Sequence, residues 1–112
     1  MPDSTKKQIR ELEIDAVSYS KIGHHSKAES TIKKALELKP SSNHLNHELA
    51  KIHLRSKQYE KALEILLILS NKTKNRKILF KDIGLSYFGM GKLEKALEAS
   101  DVSLSEKQDY VE

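Results

Sequence analysis

Four residues in the middle of the chain have the chemistry to do more than pack: His44, His47, Glu48 and His53. Imidazole and carboxylate groups bind divalent transition metals and carry protons near neutral pH. His44 and His47 are three residues apart, so on a helix they share one face. Zinc takes three or four ligands, often including a carboxylate such as Glu48, and the sequence does not complete such a set. Glu48 beside His47 has the composition of an acid–base pair, but pairs of this kind are common on helical surfaces. There is no glycine-rich phosphate loop, nucleophile elbow or HExxH motif. There is also no cysteine, which removes thiol catalysis, disulfides and cysteine-based zinc sites. The expectation is a chain with no catalytic activity, no bound metal and no cofactor.

The densest charge run is Asn71 to Lys77, with Lys72, Lys74, Arg76 and Lys77. Such a run can meet phosphate or an acidic surface. It can equally be a solvated turn with cations near a helix C-terminus, where positive charge is mildly stabilising. No aromatic residue stands by to stack on bases, so nucleic acid is a secondary expectation. Elsewhere the 20 Lys and Arg and the 16 Asp and Glu are interspersed, giving a net charge of +4. That pattern reads as solvated helix surface. No apolar stretch is long enough to span a membrane. The first eight residues form a polar lead without the apolar core of a secretory signal, so the default expectation is cytoplasmic.

The elements that would carry these residues repeat. Ala28, Ala62 and Ala96 are 34 residues apart, each in a similar setting: KAESTI, KALEIL, KALEAS. Three repeats follow, about 9–42, 43–76 and 77–110, within a single domain 9–112. Each divides into two segments with apolar residues at three- and four-residue steps, the mark of amphipathic helices. The first repeat has Ile9, Leu12, Ala16, Tyr19 and Ile22, then Ala28, Ile32, Ala35, Leu36 and Leu38. The second has Leu45, Leu49, Ala50, Ile52 and His53, then Tyr59, Ala62, Leu63, Leu66 and Leu69. The third has Ile78, Phe80, Ile83, Gly84, Tyr87 and Phe88, then Leu93, Ala96, Leu97 and Val102. Gly23 is placed to end the first helix, Ser26 to cap the second and Pro40 to close it. The recurring alanines face small partners, Ala16, Ala50 and Gly84, so that paired helices approach closely.

This pattern resembles the tetratricopeptide repeat (TPR), whose 34-residue signature is W-x2-L-G-x2-Y, then A-x3-F, then P. The first repeat carries Leu12, Ala16, Tyr19, Ala28, Ile32 and Pro40 at those places. The third carries Phe80, Ile83, Gly84, Tyr87 and Ala96. The second is looser, with Asn46 for the large first residue and His53 for the tyrosine. Lys74 and Gln108 replace the proline, and Ser100 and Ser103 stand where the first repeat has Ile32 and Ala35. The resemblance implies an all-α, right-handed α-solenoid of three helical hairpins.

It also implies a protein-interaction module, a scaffold or adaptor whose concave groove holds a peptide or helix segment of another protein. By register that groove would be lined by Arg10, Glu13, Val17 and Lys21, then His44, His47, Glu48, Lys51, Leu54 and Arg55, then Ile78, Lys81, Asp82, Leu85 and Phe88. The residues singled out for binding are Val17, Lys21, His47, Lys51, Leu54, Arg55, Ile78, Lys81, Leu85 and Phe88. One TPR class grips acidic chaperone tails with lysine, asparagine and arginine. Those places here hold Glu13, Val17, Glu48, Ile78 and Asp82, which argues against that class and for a ligand with apolar anchors. Two other readings stand beside the groove. Leu93, Leu97, Val102 and Leu104 would be left partly bare, to be covered by a second copy or by further repeats of a longer chain. Ile65, Leu67 and Ile68 exceed what the second repeat needs; they either pack on the next hairpin or form an apolar strip. The Lys72–Lys77 turn is the remaining alternative, for an anionic partner.

Overall fold

The structure is a computed structural model that describes the backbone of residues 2–73 and 76–111 and the side chains of residues 2–73 and 76–104. Lys74 of the basic run and the Gln108 side chain lie outside the described residues. The described residues form six helices and no strand: α1 (Asp3–Lys21), α2 (His25–Leu38), α3 (Asn43–Arg55), α4 (Tyr59–Ser70), α5 (Arg76–Gly89) and α6 (Leu93–Val111). α1 starts at Asp3, so the polar lead is mostly helical.

The tight turns show why the helices break where they do. In the first, the Gly23 amide donates to the Ser20 carbonyl at 3.2 Å and the His24 amide donates to the Tyr19 carbonyl at 2.8 Å. In the third, the Gly91 amide donates to the Phe88 carbonyl at 3.0 Å and the Lys92 amide donates to the Tyr87 carbonyl at 2.8 Å. Both are Schellman closures, which need a left-handed residue just past the helix. Gly23 and Gly91 supply it at φ +91° and +78°, and between them Lys57 stands at φ +63°. Residues 23, 57 and 91 are 34 apart, so the backbone repeats with the period of the alanines.

Ser26 is not a cap, because α2 begins at His25 and His24 holds the N-cap place without a side-chain bond. The closure around Gly23 runs directly into the next helix and leaves no room for a separate cap. Ser42 does cap: its Oγ accepts the Leu45 amide at 3.1 Å. Pro40 follows the C-cap Lys39 of α2, as a helix stop should.

The chain divides into two compact units, residues 1–56 and 57–112. The division falls at the turn inside the expected repeat 43–76. In the first unit α2 packs on both α1 and α3, and α1 also touches α3. Its core is Ala16, Ala28, Ile32, Ala35, Leu45, Leu49, Ala50 and Ile52. In the second, α5 packs on both α4 and α6, around Ala62, Leu66, Leu69, Leu79, Ile83 and Ala99. Full burial of a side chain such as Ile32 or Leu66 contributes roughly 1.5–3 kcal/mol. A Cβ added at Gly84 would lie 3.5 Å from the Ala96 carbonyl and 3.7 Å from the Ala99 Cβ. So α5 and α6 meet through small residues at the expected place.

Several apolar residues lie elsewhere than their periodicity implies. Ile22 is exposed because it is the C-cap of α1 rather than part of its packed face. Leu97 is exposed, and Ala99 fills the core of the second unit from α6 instead. Leu79 is buried where Ile78 and Phe80 were expected; Ile78 faces outward and Phe80 is half-buried.

Candidate interaction faces

In the first unit, the adjoining surfaces of α1 and α3 are joined by polar contacts. The His44 Nε2 lies 2.6 Å from Glu13 Oε2, reaching from α3 to α1. About two turns further along α1, the Arg55 guanidinium donates to Ser20 Oγ at 3.2 Å. Lys51 Nζ donates to Glu48 Oε1 at 3.3 Å. Of the residues expected to bind here, Lys21 and Arg55 are exposed, and Val17, His47, Lys51 and Leu54 are half-buried. Glu48 is different: only 8% of it is accessible, so it belongs to the packed layer under the face. His53 is buried too, with its Nδ1 3.6 Å from Glu29 Oε1 on α2. A histidine replaces the signature tyrosine there and brings a carboxylate contact with it.

In the second unit, Ile78, Lys81, Leu85 and Phe88 are all exposed. Their spacing of three, four and three places them on one side of α5. Ile78 is 46% accessible, Leu85 49% and Phe88 67%. Water gains nothing from such side chains, so three on one helical stripe form an apolar patch. Asp82, also expected to face a ligand, is buried, because residue 82 turns to the packed side of α5 with Leu79, Ile83 and Ser86.

The second unit has a further apolar surface. Leu67, Phe80, Ile83, Tyr87, Ala99 and Val102 line a hollow of about 350 Å³, with Lys95 and Glu98 at its rim. Leu67 lines this hollow but is itself 40% accessible; Ile68 is exposed as well, and Ile65 is half-buried. Leu93, Leu97 and Leu104 are exposed along α6, and Val102 is half-buried. Of the basic run, Arg76 lies over the Phe80 ring at 5.0 Å, an arrangement that engages its charge. Lys72 and Lys77 are exposed.

Residues 16–42, which run from the last third of α1 through α2 to the turn before α3, match the family model of the tetratricopeptide repeat. Match and helices together fit a TPR-type helical repeat protein. No curated protein matches the chain at a significant level. The TPR family points to a protein–protein interaction module and is typically a scaffold rather than a catalyst. No helix among the described residues is long and apolar enough to cross a membrane.

The sequence reading missed one arrangement. The register puts Glu13 on the same surface as His44 but does not predict their contact. The signal was in the period: Glu13 and His44 are 31 residues apart, and Ser20 and Arg55 are 35 apart, each close to one repeat. In stacked repeats, such offsets bring equivalent first helices side by side.

Proposed function

We propose that this chain is a non-catalytic interaction module that holds an apolar helix or extended segment of another protein against the outer stripe of α5. The observation that carries this reading is the exposure of Ile78, Leu85 and Phe88 on one side of the helix, with Lys81 between them. A partner helix with apolar residues at steps of three, four and seven would match that stripe. An acidic residue on the partner would meet Lys81. The first unit offers a second face of opposite character, in which Val17 and Leu54 are set among Lys21, His47, Lys51 and Arg55. That face suits a segment carrying both charge and small apolar groups. Glu13, Glu48 and Asp82 argue against the chaperone-tail class, since two of the three are buried and all repel a terminal carboxylate.

The test is capture of binding proteins from the native host's lysate at two salt concentrations, beside a Leu85→Glu/Phe88→Glu variant. Both positions are exposed, so the variant should keep its helical circular dichroism. A protein retained by the wild type at both salts and lost by the variant supports the α5 stripe. Equal retention by the variant refutes it. Retention that collapses at high salt in both favours the exposed lysines near residue 72, by counterion release.

A second reading is self-association through α6. It draws on the exposed Leu93, Leu97 and Leu104, spaced four and seven along one helix. Light scattering over a concentration series decides it: a mass that doubles, and stays single in Leu97→Glu, establishes the pair. A single mass throughout removes it.

A further inference from the structure

We propose that Glu13, His44 and Glu48 form a binding site for a divalent transition-metal ion such as zinc. One ligand atom from each lies within 4.8 Å of those from the other two. The sequence offers only a pair of histidines on one helix; the fold supplies the missing ligand by laying α1 beside α3. The proposal is independent of any partner on α5.

The donor set selects the ion. Two carboxylates and one imidazole balance a double positive charge and include a borderline nitrogen ligand, which zinc, copper and nickel favour. Magnesium and calcium want six or more oxygen ligands, and this site does not provide them. Three protein ligands leave at least one coordination position for water or for a donor from another molecule.

The geometry is near enough for side chains alone to close it. Ligand atoms around tetrahedral zinc lie about 3.3 Å apart, given bonds of about 2.0–2.1 Å. The His44–Glu13 contact at 2.6 Å must therefore open, and no other separation has to shrink by more than about 1.5 Å. His44 and Glu13 both retain side-chain exposure, at 66% and 26%. They can move, while Glu48 is held by its burial. The hydrogen now shared between Nε2 and Oε2 has to leave Nε2, so the ion replaces a hydrogen bond that already fixes the ring's aim. Lys51 competes, since its ammonium lies 3.3 Å from Glu48 Oε1. Its removal should tighten binding.

The experiment uses the tag-free full chain, stripped with a chelator and titrated with zinc chloride by calorimetry. Variants are His44→Ala, Glu13→Gln, His47→Ala and Lys51→Met, each checked by circular dichroism for retained helix. The wild type is expected to bind one zinc at this site. Removing a carboxylate or the imidazole should weaken it at least tenfold, since even loss of a residue that only hydrogen-bonds to a ligand costs about 10–100-fold. His47→Ala should leave it unchanged, Lys51→Met should tighten it, and magnesium should give no binding. Zinc should also raise the melting temperature of the wild type but not of His44→Ala, by linkage. The proposal is overturned if the wild type takes up no zinc or if His44→Ala binds as the wild type does. It also fails if His47→Ala loses zinc while Glu13→Gln keeps it, because the ligands are then the two histidines.

Discussion

The two units use the same helical grammar to make different surfaces. In residues 1–56 the seam between first helices is dressed with ionisable groups: Glu13 on His44, Arg55 on Ser20, and Lys51 on the buried Glu48. In residues 57–112 the outer side of α5 is apolar, with Ile78, Leu85 and Phe88 open to water, and α6 adds Leu93, Leu97 and Leu104. The buried layers are alike: alanines at the close approaches, with isoleucine and leucine between them. A repeat therefore fixes its interior by volume and leaves its exterior free to diverge. Packing tolerates little change in size, whereas an exposed position tolerates almost any residue. What distinguishes one repeat from the next is on the outside.

Substitutions can break that contrast in order of size. The largest effect should come from the interior, and it should be similar in both units. Ile32→Ala and Leu66→Ala each remove a fully buried branched chain and should cost about 2–5 kcal/mol in chemical denaturation. Leu97→Ala, on the open side of α6, should stay within about 0.5 kcal/mol. If Leu97→Ala proves as costly as Leu66→Ala, the α6 face is covered rather than open.

The turns come next. Gly23→Ala and Gly91→Ala place a side chain at φ +91° and +78°, where L-residues are strained by about 1–2 kcal/mol. Nothing lies within 4 Å of either added Cβ, so the cost is conformational and not steric. The two variants should lose similar stability by thermal melting. A marked difference would mean that the two Schellman closures are not equivalent. Ser42→Ala removes the hydroxyl that accepts the Leu45 amide and should cost about 1 kcal/mol, measured the same way.

Much of this architecture is legible in the sequence, and the legible part is the part governed by volume. Ala28 and Ala62 are marked by spacing and are buried, and Gly84 meets Ala96 as the small-partner argument requires. Helix boundaries are less legible, because they depend on competition between neighbouring motifs. Ser26 is a good capping residue, but the Gly23 closure takes the position it would need. Outer faces are read to within one residue. The repeat register puts Asp82 and Glu48 on an open face, yet both are buried, because one residue shifts a side chain by 100° around a helix. The Glu13–His44 contact depends on two helices separated by a third, and only the repeat period, used as a ruler for side-by-side residues, points to it. The family match shows the same gradient. It covers residues 16–42, where the signature positions are filled best, and the later repeats carry His53, Ser100 and Ser103 at positions of that pattern.

The smallest predicted effect concerns the turn that departs from the other two. Lys57 occupies at φ +63° the place that glycine holds at 23 and 91. A lysine there carries the clash between Cβ and the following carbonyl that glycine avoids. Lys57→Gly relieves that strain but frees the unfolded chain, which returns part of the gain. The net change should be a stabilisation of a few tenths to about 1 kcal/mol, seen as a raised melting temperature. Lys57→Asn should fall between the two, since asparagine tolerates the left-handed region better than lysine does. If Lys57→Gly instead destabilises, the lysine side chain contributes more than its backbone costs. The three turns would then share a geometry without sharing a reason for it.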